Sequence, residues 1–132
     1  MTTQIGGTHY VAEYGHWDLA VDAGLGYDIG NCTKYLARAH KKGRAVEDFQ
    51  KALSYYDKWE SRGDHREASS ESAGWVVEQA LDQYFTHNPT PVNAQLAIRA
   101  VVSRQRYVNV DARGLINACL QDAISNQCSS ER

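Results

Sequence analysis

Apolar residues recur every three or four positions through most of this chain, and this period constrains the fold more than any other feature. Such spacing places the apolar side chains on one face of an α-helix. The clearest case is the segment 45–61, whose apolar positions are Ala45, Phe49, Ala52, Leu53, Tyr56 and Trp59. No segment shows sustained alternation of period two, so the sequence predicts no strands. We therefore expect an all-α fold.

Glycines, prolines and polar runs divide the chain into about six predicted helices, which would form a small bundle. Their approximate ranges are 14–23, 30–43, 45–61, 72–85, 91–107 and 111–125. Trp17 and Val21 are expected to face inward from the first helix, and Thr90 is expected to cap the fifth. Ala118 and Ile124 are expected on the inner side of the last helix, and the tail from residue 126 is expected to be disordered.

The polar segment 63–72 is the best candidate linker. It divides the chain into a three-helix unit, residues 1–62, and a second helical unit, residues 63–132, which would be a lid or an assembly surface. No apolar run approaches the roughly 20 residues that span a bilayer, and no signal peptide is visible. Three cysteines without metal-ligand spacing indicate reduced thiols, which predicts a cytoplasmic protein. The net charge of −2 argues against general nucleic-acid binding.

A basic stripe is predicted on the second helix. Spacings of three and four residues place its members on one face, with Thr33 and His40 on the opposite face. The stripe consists of Asn31, Lys34, Arg38 and Lys41. It follows a glycine-rich turn, residues 24–30, and backbone N–H groups at such a helix start favour anions. The stripe could bind a nucleotide phosphate. The alternative is an ordinary solvated face, which on spacing alone is the better interpretation.

The third helix carries another basic stripe, formed by Lys51, Tyr55, Lys58 and Arg62. Packed against the second helix, this stripe could complete a basic pocket with an aromatic wall for a base. The alternative is an exposed face whose lysines pair with Glu47 and Asp48, and the two interpretations are evenly balanced.

Several common catalytic patterns are absent from the sequence. There is no phosphate-binding loop of the Gly-x-x-x-x-Gly-Lys-Ser/Thr type, no nucleophile elbow and no kinase signature. The five histidines lack the spacing of metal ligands, so no metal site is predicted. His9 is a candidate for proton transfer near neutral pH.

The order of these residues resembles a small family of tailed-bacteriophage proteins known as phage nucleotide kinases or SaV-like proteins. The resemblance covers about residues 7–60. The matching elements are His9-Tyr10, Gly30-Asn31, Lys34-Tyr35, Arg38, Asp48, Lys51-Ala52 and Tyr55. The resemblance implies a phage protein of the host cytoplasm that phosphorylates deoxynucleoside monophosphates such as dTMP and dGMP. It implies phosphate contacts for Lys34, Arg38 and Lys51, and other pocket positions for His9, Asn31, Asp48 and Tyr55.

Our first functional hypothesis is therefore a nucleotide kinase with a nucleoside triphosphate as phosphate donor. His9, Arg38 and Asp48 are its candidate catalytic residues. Its candidate substrate-binding residues are Asn31, Lys34, Arg38, Lys41, Lys51 and Tyr55. Because so small a chain forms only a shallow pocket, we expect a site shared within a homo-oligomer. The alternatives are a non-catalytic protein that sequesters a nucleotide or nucleotide signal in phage counter-defence, and a helical protein-interaction adaptor.

Overall fold

The computed structural model describes residues 13–41, 43–62, 74–105 and 110–130. Within these ranges the chain forms helices and no strand, which confirms the prediction of an all-α bundle of about six helices. The helices are α1 (His16–Asp22), α2 (Tyr27–Arg38), α3 (Ala45–Ser61), α4 (Gly74–His87), α5 (Val92–Arg104) and α6 (Ala112–Ser130). No helix among the described residues combines the length and apolar character needed to cross a bilayer.

Helices α2 and α3 form an antiparallel hairpin, which is the most extensive helix–helix contact of the bundle. An ion pair closes each end of this hairpin. Arg38 at the end of α2 lies 3.8 Å from Asp48 at the start of α3, and Arg62 after α3 lies 3.0 Å from Asp28 in the first turn of α2. Both carboxylates are buried, so each is held against its guanidinium away from water. The two pairs therefore fix how far α2 is shifted along α3.

One continuous apolar core joins the helices, and it draws on both halves of the chain. Its largest fully buried members include Trp59 from α3, Leu81 from α4, Ile98 from α5 and Ile116 from α6. Helix α6 packs against α3 and α5, α5 also packs against α2, and α1 packs against α4. The division of the chain at residue 62 stays a prediction, and the core spans that boundary.

Two arginines from the second half reach α3 from the side. Arg113 of α6 binds both Asp57 and Glu60, and its guanidinium lies 5.4 Å from the centre of the Tyr56 ring. Arg104 of α5 lies 3.9 Å from Glu60 and 5.1 Å from the Trp59 ring centre. These charged and cation–π contacts complement the apolar packing and connect α3 to both α5 and α6.

The inward face of α1 was predicted wrongly. Trp17 is 75% exposed and Val21 is also exposed, whereas Leu19 and Ala23 are buried. The helix has only seven residues, so Trp17 and Val21 form one apolar face while His16, Leu19 and Ala23 form another at equivalent spacing. With so few turns, periodicity alone could not decide which of these faces enters the core.

The bounds of α2, α5 and α6 also differ from expectation. Helix α2 begins at Tyr27 and ends at Arg38, so His40 lies beyond it in an exposed turn instead of on its buried face. Pro91, not Thr90, occupies the N-cap of α5, and the Thr90 hydroxyl donates instead to the carbonyl of Asn88.

The last helix is longer than expected and is rotated relative to the prediction. It continues to Ser130, so residues 126–130 are helical, which contradicts the predicted disorder there. Its buried positions are Ala112, Ile116, Cys119, Leu120 and Ala123, while Ala118 and Ile124 are exposed. The sequence pattern misled here because the apolar residues of α6 are spread around its circumference, and contact with both α3 and α5 selects the inner face.

Candidate functional site

Three tyrosines lie together on the outer surface of the α2–α3 hairpin. The Tyr35 and Tyr55 rings are stacked, with centres 5.9 Å apart and planes 12° apart, and Tyr27 meets Tyr55 edge-on at 6.2 Å. Tyr27 and Tyr35 are eight residues apart and so occupy the same side of α2. Tyr55 meets them across the hairpin. Aromatic pairs of this geometry contribute about 0.5–1.5 kcal/mol each beyond area burial.

Positively charged side chains surround these rings. Arg38 and Lys51 each lie 5.4 Å from the centre of the Tyr35 ring, and Lys58 lies 5.4 Å from that of Tyr55. Lys34 is exposed on α2 next to Tyr35 in the sequence. We call this surface the basic–aromatic face and define it by Tyr27, Asn31, Lys34, Tyr35, Arg38, Lys51, Tyr55 and Lys58. Its positive charge comes from both helices of the hairpin.

The lysines of the basic–aromatic face are available to bind an anion. Among the described residues, no acid forms an ion pair with Lys34, Lys51 or Lys58. The predicted alternative, in which these lysines pair with Glu47 and Asp48, does not occur: Glu47 pairs with Arg44 and Asp48 with Arg38. Neither Glu47 nor Asp48 therefore neutralises these lysines, and their positive charge attracts anionic ligands.

Asp48 supports the face from behind. Asp48 is only 4% exposed, and an oxygen of its carboxylate lies 3.8 Å from Nε of Arg38. A guanidinium carries five N–H donors, so Arg38 can hold this carboxylate and still present N–H groups to a phosphate. The pair fixes the direction of the Arg38 side chain toward Tyr35.

The start of α2 is less suited to an anion than its glycine-rich turn suggests. Gly26 is the N-cap residue, and Asp28 lies in the first turn with its carboxylate bound by Arg62 at 3.0 Å. A carboxylate in the first turn already compensates the positive end of the helix dipole. A phosphate here would meet that negative charge, so the favourable place for it lies farther along α2, near Lys34 and Arg38.

The structure brings most of the predicted site residues to one hairpin. Asn31, Lys34, Arg38, Lys51 and Tyr55 all belong to the basic–aromatic face, and Asp48 lies directly behind it. Lys41 lies in the turn beyond α2, where its backbone N–H donates to the carbonyl of Arg38. His9 falls outside the described residues. Tyr27 and Tyr35 were not predicted as site residues, although the sequence shows that they are separated by about two helical turns.

His16 is a third residue that sequence reasoning left out. Its ring Nε2 lies 2.8 Å from the hydroxyl oxygen of Thr33 on α2, and its ring meets that of Tyr84 on α4 edge-on. Because the Thr33 hydroxyl donates to the carbonyl of Gly30, its oxygen accepts from His16. Burial, and secondly the charge of Lys34, lower the pKa of His16 to about 4. The neutral imidazole thus joins α1, α2 and α4.

Three clefts among the described residues lie away from the basic–aromatic face. Two follow the seam between α1 and α4 and share Tyr14, with volumes of about 310 and 380 Å³. The third, about 210 Å³, lies where the turn after α2 meets α3, α5 and α6, and Cys119 and Asp122 are among its lining residues. No three His, Cys, Asp or Glu side chains in the described ranges are grouped as metal ligands.

Comparison with known proteins gives a family match over part of the chain and no activity. Residues 8–57 match the model of a family described as a protein of unknown function, DUF3310. This segment contains α1, α2 and most of α3, and therefore every residue of the basic–aromatic face except Lys58. No curated protein matches the chain, and no solved structure matches it. The part of the chain that resembles a family is thus the part that carries the basic–aromatic face.

Proposed function

We propose that the basic–aromatic face binds the phosphates of a deoxynucleotide and that this protein is a nucleotide kinase of the phage, SaV-like type. The observation that carries the proposal is the convergence of Arg38 and Lys51 on the Tyr35 ring. Guanidinium and ammonium groups are the usual protein ligands of phosphate, and among the described residues no acid forms an ion pair with the lysines of this face. The resemblance to phage nucleotide kinases covers these same residues and supplies the proposed reaction and the host-cytoplasm location.

Phosphoryl transfer depends mainly on positioning and on neutralising the charge of the transferred group. In the proposed reaction, Lys34, Arg38 and Lys51 bind the phosphates of a nucleoside triphosphate donor and a deoxynucleoside monophosphate acceptor. Asp48 positions Arg38, since its buried carboxylate faces the guanidinium. His9 is the remaining candidate for orienting the accepting oxygen. Because the lysines of the face are exposed, we propose that a second copy of the chain covers it and excludes water.

Binding without turnover is the second candidate function. It is favoured by the position of Asp48, which is a predicted catalytic residue yet is buried and paired with Arg38. A carboxylate in that position does not reach the reacting atoms of a ligand on the surface. A protein of this kind would sequester a nucleotide or a nucleotide-derived signal with the same cations.

An adaptor function is the third candidate, and exposed apolar side chains in the second half of the chain favour it. Trp75 of α4 and Val92 and Leu96 of α5 are exposed. Such side chains are common on soluble domains, and only a contiguous patch indicates a partner surface. We therefore rank this candidate below the nucleotide functions.

The first experiment is incubation of the purified chain with mixtures of deoxynucleoside monophosphates and triphosphates, followed by chromatography of the products. New diphosphates would support the kinase. Unchanged nucleotides together with binding in calorimetry would favour sequestration. Absence of both turnover and binding would refute the nucleotide site.

Two variants test whether the basic–aromatic face is responsible. Lys51→Gln removes one cation without exposing a buried carboxylate, and we expect it to weaken nucleotide binding by about tenfold or more. Arg99→Gln is the matched control, because Arg99 lies over the Phe85 ring and pairs with acids on α4, away from this face. Equal loss in both variants would contradict the assignment.

A further inference from the structure

We propose that Tyr27 and Asn31 form the base-binding end of this nucleotide site, with the ligand lying along α2 and its phosphates near Lys34 and Arg38. This inference rests on the proposed nucleotide function and adds the direction of the ligand and the residues that contact its base.

The Tyr55 ring, which the sequence suggested as the wall for a base, is already engaged. Tyr35 is stacked on it, Lys58 lies over it, and Tyr27 forms a T-shaped contact with it. Tyr35 in turn is contacted by Tyr55, Arg38 and Lys51. A base could stack on either ring only after a neighbour moved away.

Tyr27 offers what the other two rings lack. It is 70% exposed although it belongs to the same cluster, and its described ring contact is the edge-on one with Tyr55. A T-shaped contact involves at most one face of a ring, so at least one face of Tyr27 stays open for another aromatic group. Base–aromatic stacking is a common way for proteins to hold a nucleobase, and it requires an open π-face of this kind.

The distribution of charge gives the ligand its direction. The first turn of α2 contains the carboxylate of Asp28, whereas Lys34 and Arg38 lie on its second half. Because Arg62 compensates the charge of Asp28, the Tyr27 end offers no excess of positive charge from this pair, and a phosphate is attracted more strongly to the other end, where Lys34 forms no ion pair with a described acid. Tyr27 and Lys34 are separated by about 10 Å along the helix axis, at the usual rise per residue. A nucleotide with its base on Tyr27 has its sugar and phosphates directed toward that lysine.

Asn31 supplies hydrogen-bonding groups beside Tyr27. Its side-chain Nδ2 donates to the carbonyl of Tyr27 at 2.9 Å, which holds the amide one turn along the helix from the ring. The amide retains one N–H donor and an acceptor oxygen. Each nucleobase presents donors and acceptors on its edge, and an Asn amide can pair with two of them at once. Asn31 is thus the residue that we expect to distinguish one base from another.

The test measures binding of each of the four deoxynucleoside triphosphates and of inorganic tripolyphosphate by calorimetry. Tyr27→Ala should weaken the best triphosphate by about tenfold or more, the loss expected for one stacking contact, and leave tripolyphosphate binding within about twofold. Tyr27→Phe should bind like the wild-type chain. Asn31→Ala should reduce the differences in affinity among the four bases. Trp75→Ala is the matched control, since Trp75 is 71% exposed and lies on α4.

The outcomes separate this inference from the proposed function. If the wild-type chain binds the nucleotides and Tyr27→Ala binds them equally well, the base subsite is wrong and the phosphate site stands. Equal affinity of the wild-type chain for tripolyphosphate and all four nucleotides would also overturn the subsite. If the wild-type chain binds neither nucleotides nor tripolyphosphate, the proposed function itself fails. Circular dichroism of each variant confirms that the helices are retained.

Discussion

Acidification should destabilise this protein through His16 before most of its carboxylates are protonated. The folded chain holds His16 neutral, with a pKa lowered from 6.5 to about 4 by burial and by Lys34. The unfolded chain binds a proton at this residue more readily, so the free energy of unfolding falls as the pH falls from about 6.5 to 4. The difference in the pKa of His16 between the unfolded and folded chain corresponds to about 3 kcal/mol of unfolding free energy. About 2 kcal/mol of this is lost by pH 5.

The assay is urea unfolding of the wild-type chain and of His16→Gln at several pH values between 7.5 and 5. A glutamine amide can still donate to the Thr33 hydroxyl but has no proton to gain in this range. The wild-type chain should lose about 2 kcal/mol more than the variant between these limits. Parallel pH dependence of the two chains would refute the reasoning, because it would show that His16 is already protonated or exposed in the folded state.

Three further predictions concern packing and reactivity. Trp59→Ala should lower the free energy of unfolding by about 3–5 kcal/mol, measured by chemical unfolding, because Trp59 is fully buried. Trp17→Ala should change it by less than about 0.5 kcal/mol, because Trp17 is exposed. Similar losses in the two variants would contradict the observed orientation of α1. Burial raises the pKa of the Cys32 thiol and raises that of Cys119 to about 11, so neither should be alkylated by iodoacetamide at pH 7.5 until urea is added, as peptide mapping would show. Arg113→Met should lower the unfolding free energy by about 1 kcal/mol, and an unchanged value would mean that its ion pairs with α3 contribute nothing.

Helix α3 shows how much of the fold could be predicted from the sequence. Its 17 residues include several turns, so the apolar positions agree on one face, and both predicted ends coincide with the observed ones. Helix α1 has too few turns for such agreement, and its inner face is set by contact with α4. Long amphipathic segments therefore determine their own orientation, whereas short ones take it from their neighbours.

The candidate site was partly predictable for a related reason. The cations Lys34, Arg38 and Lys51 follow helical spacing, which sequence alone reveals. The stacking of Tyr35 on Tyr55 depends on how α2 is placed against α3, and this placement involves long-range contacts and the two end pairs of the hairpin. Sequence spacing contains no information about that shift, so the sequence predicted Tyr55 as an aromatic wall, but its stacking with Tyr35 emerged only from the folded arrangement.

The contacts between α3 and the second half of the chain have a practical consequence for dissecting this protein. The family-matched segment ends at residue 57, before Trp59 and before Glu60, which binds both Arg104 and Arg113. A fragment that ends at residue 57 would lack the buried Trp59 ring and the contacts of α3 with α5 and α6. We expect such a fragment to aggregate when expressed. Nucleotide binding should therefore be studied on a chain that retains α5 and α6, although every residue of the face lies in the first half of the sequence.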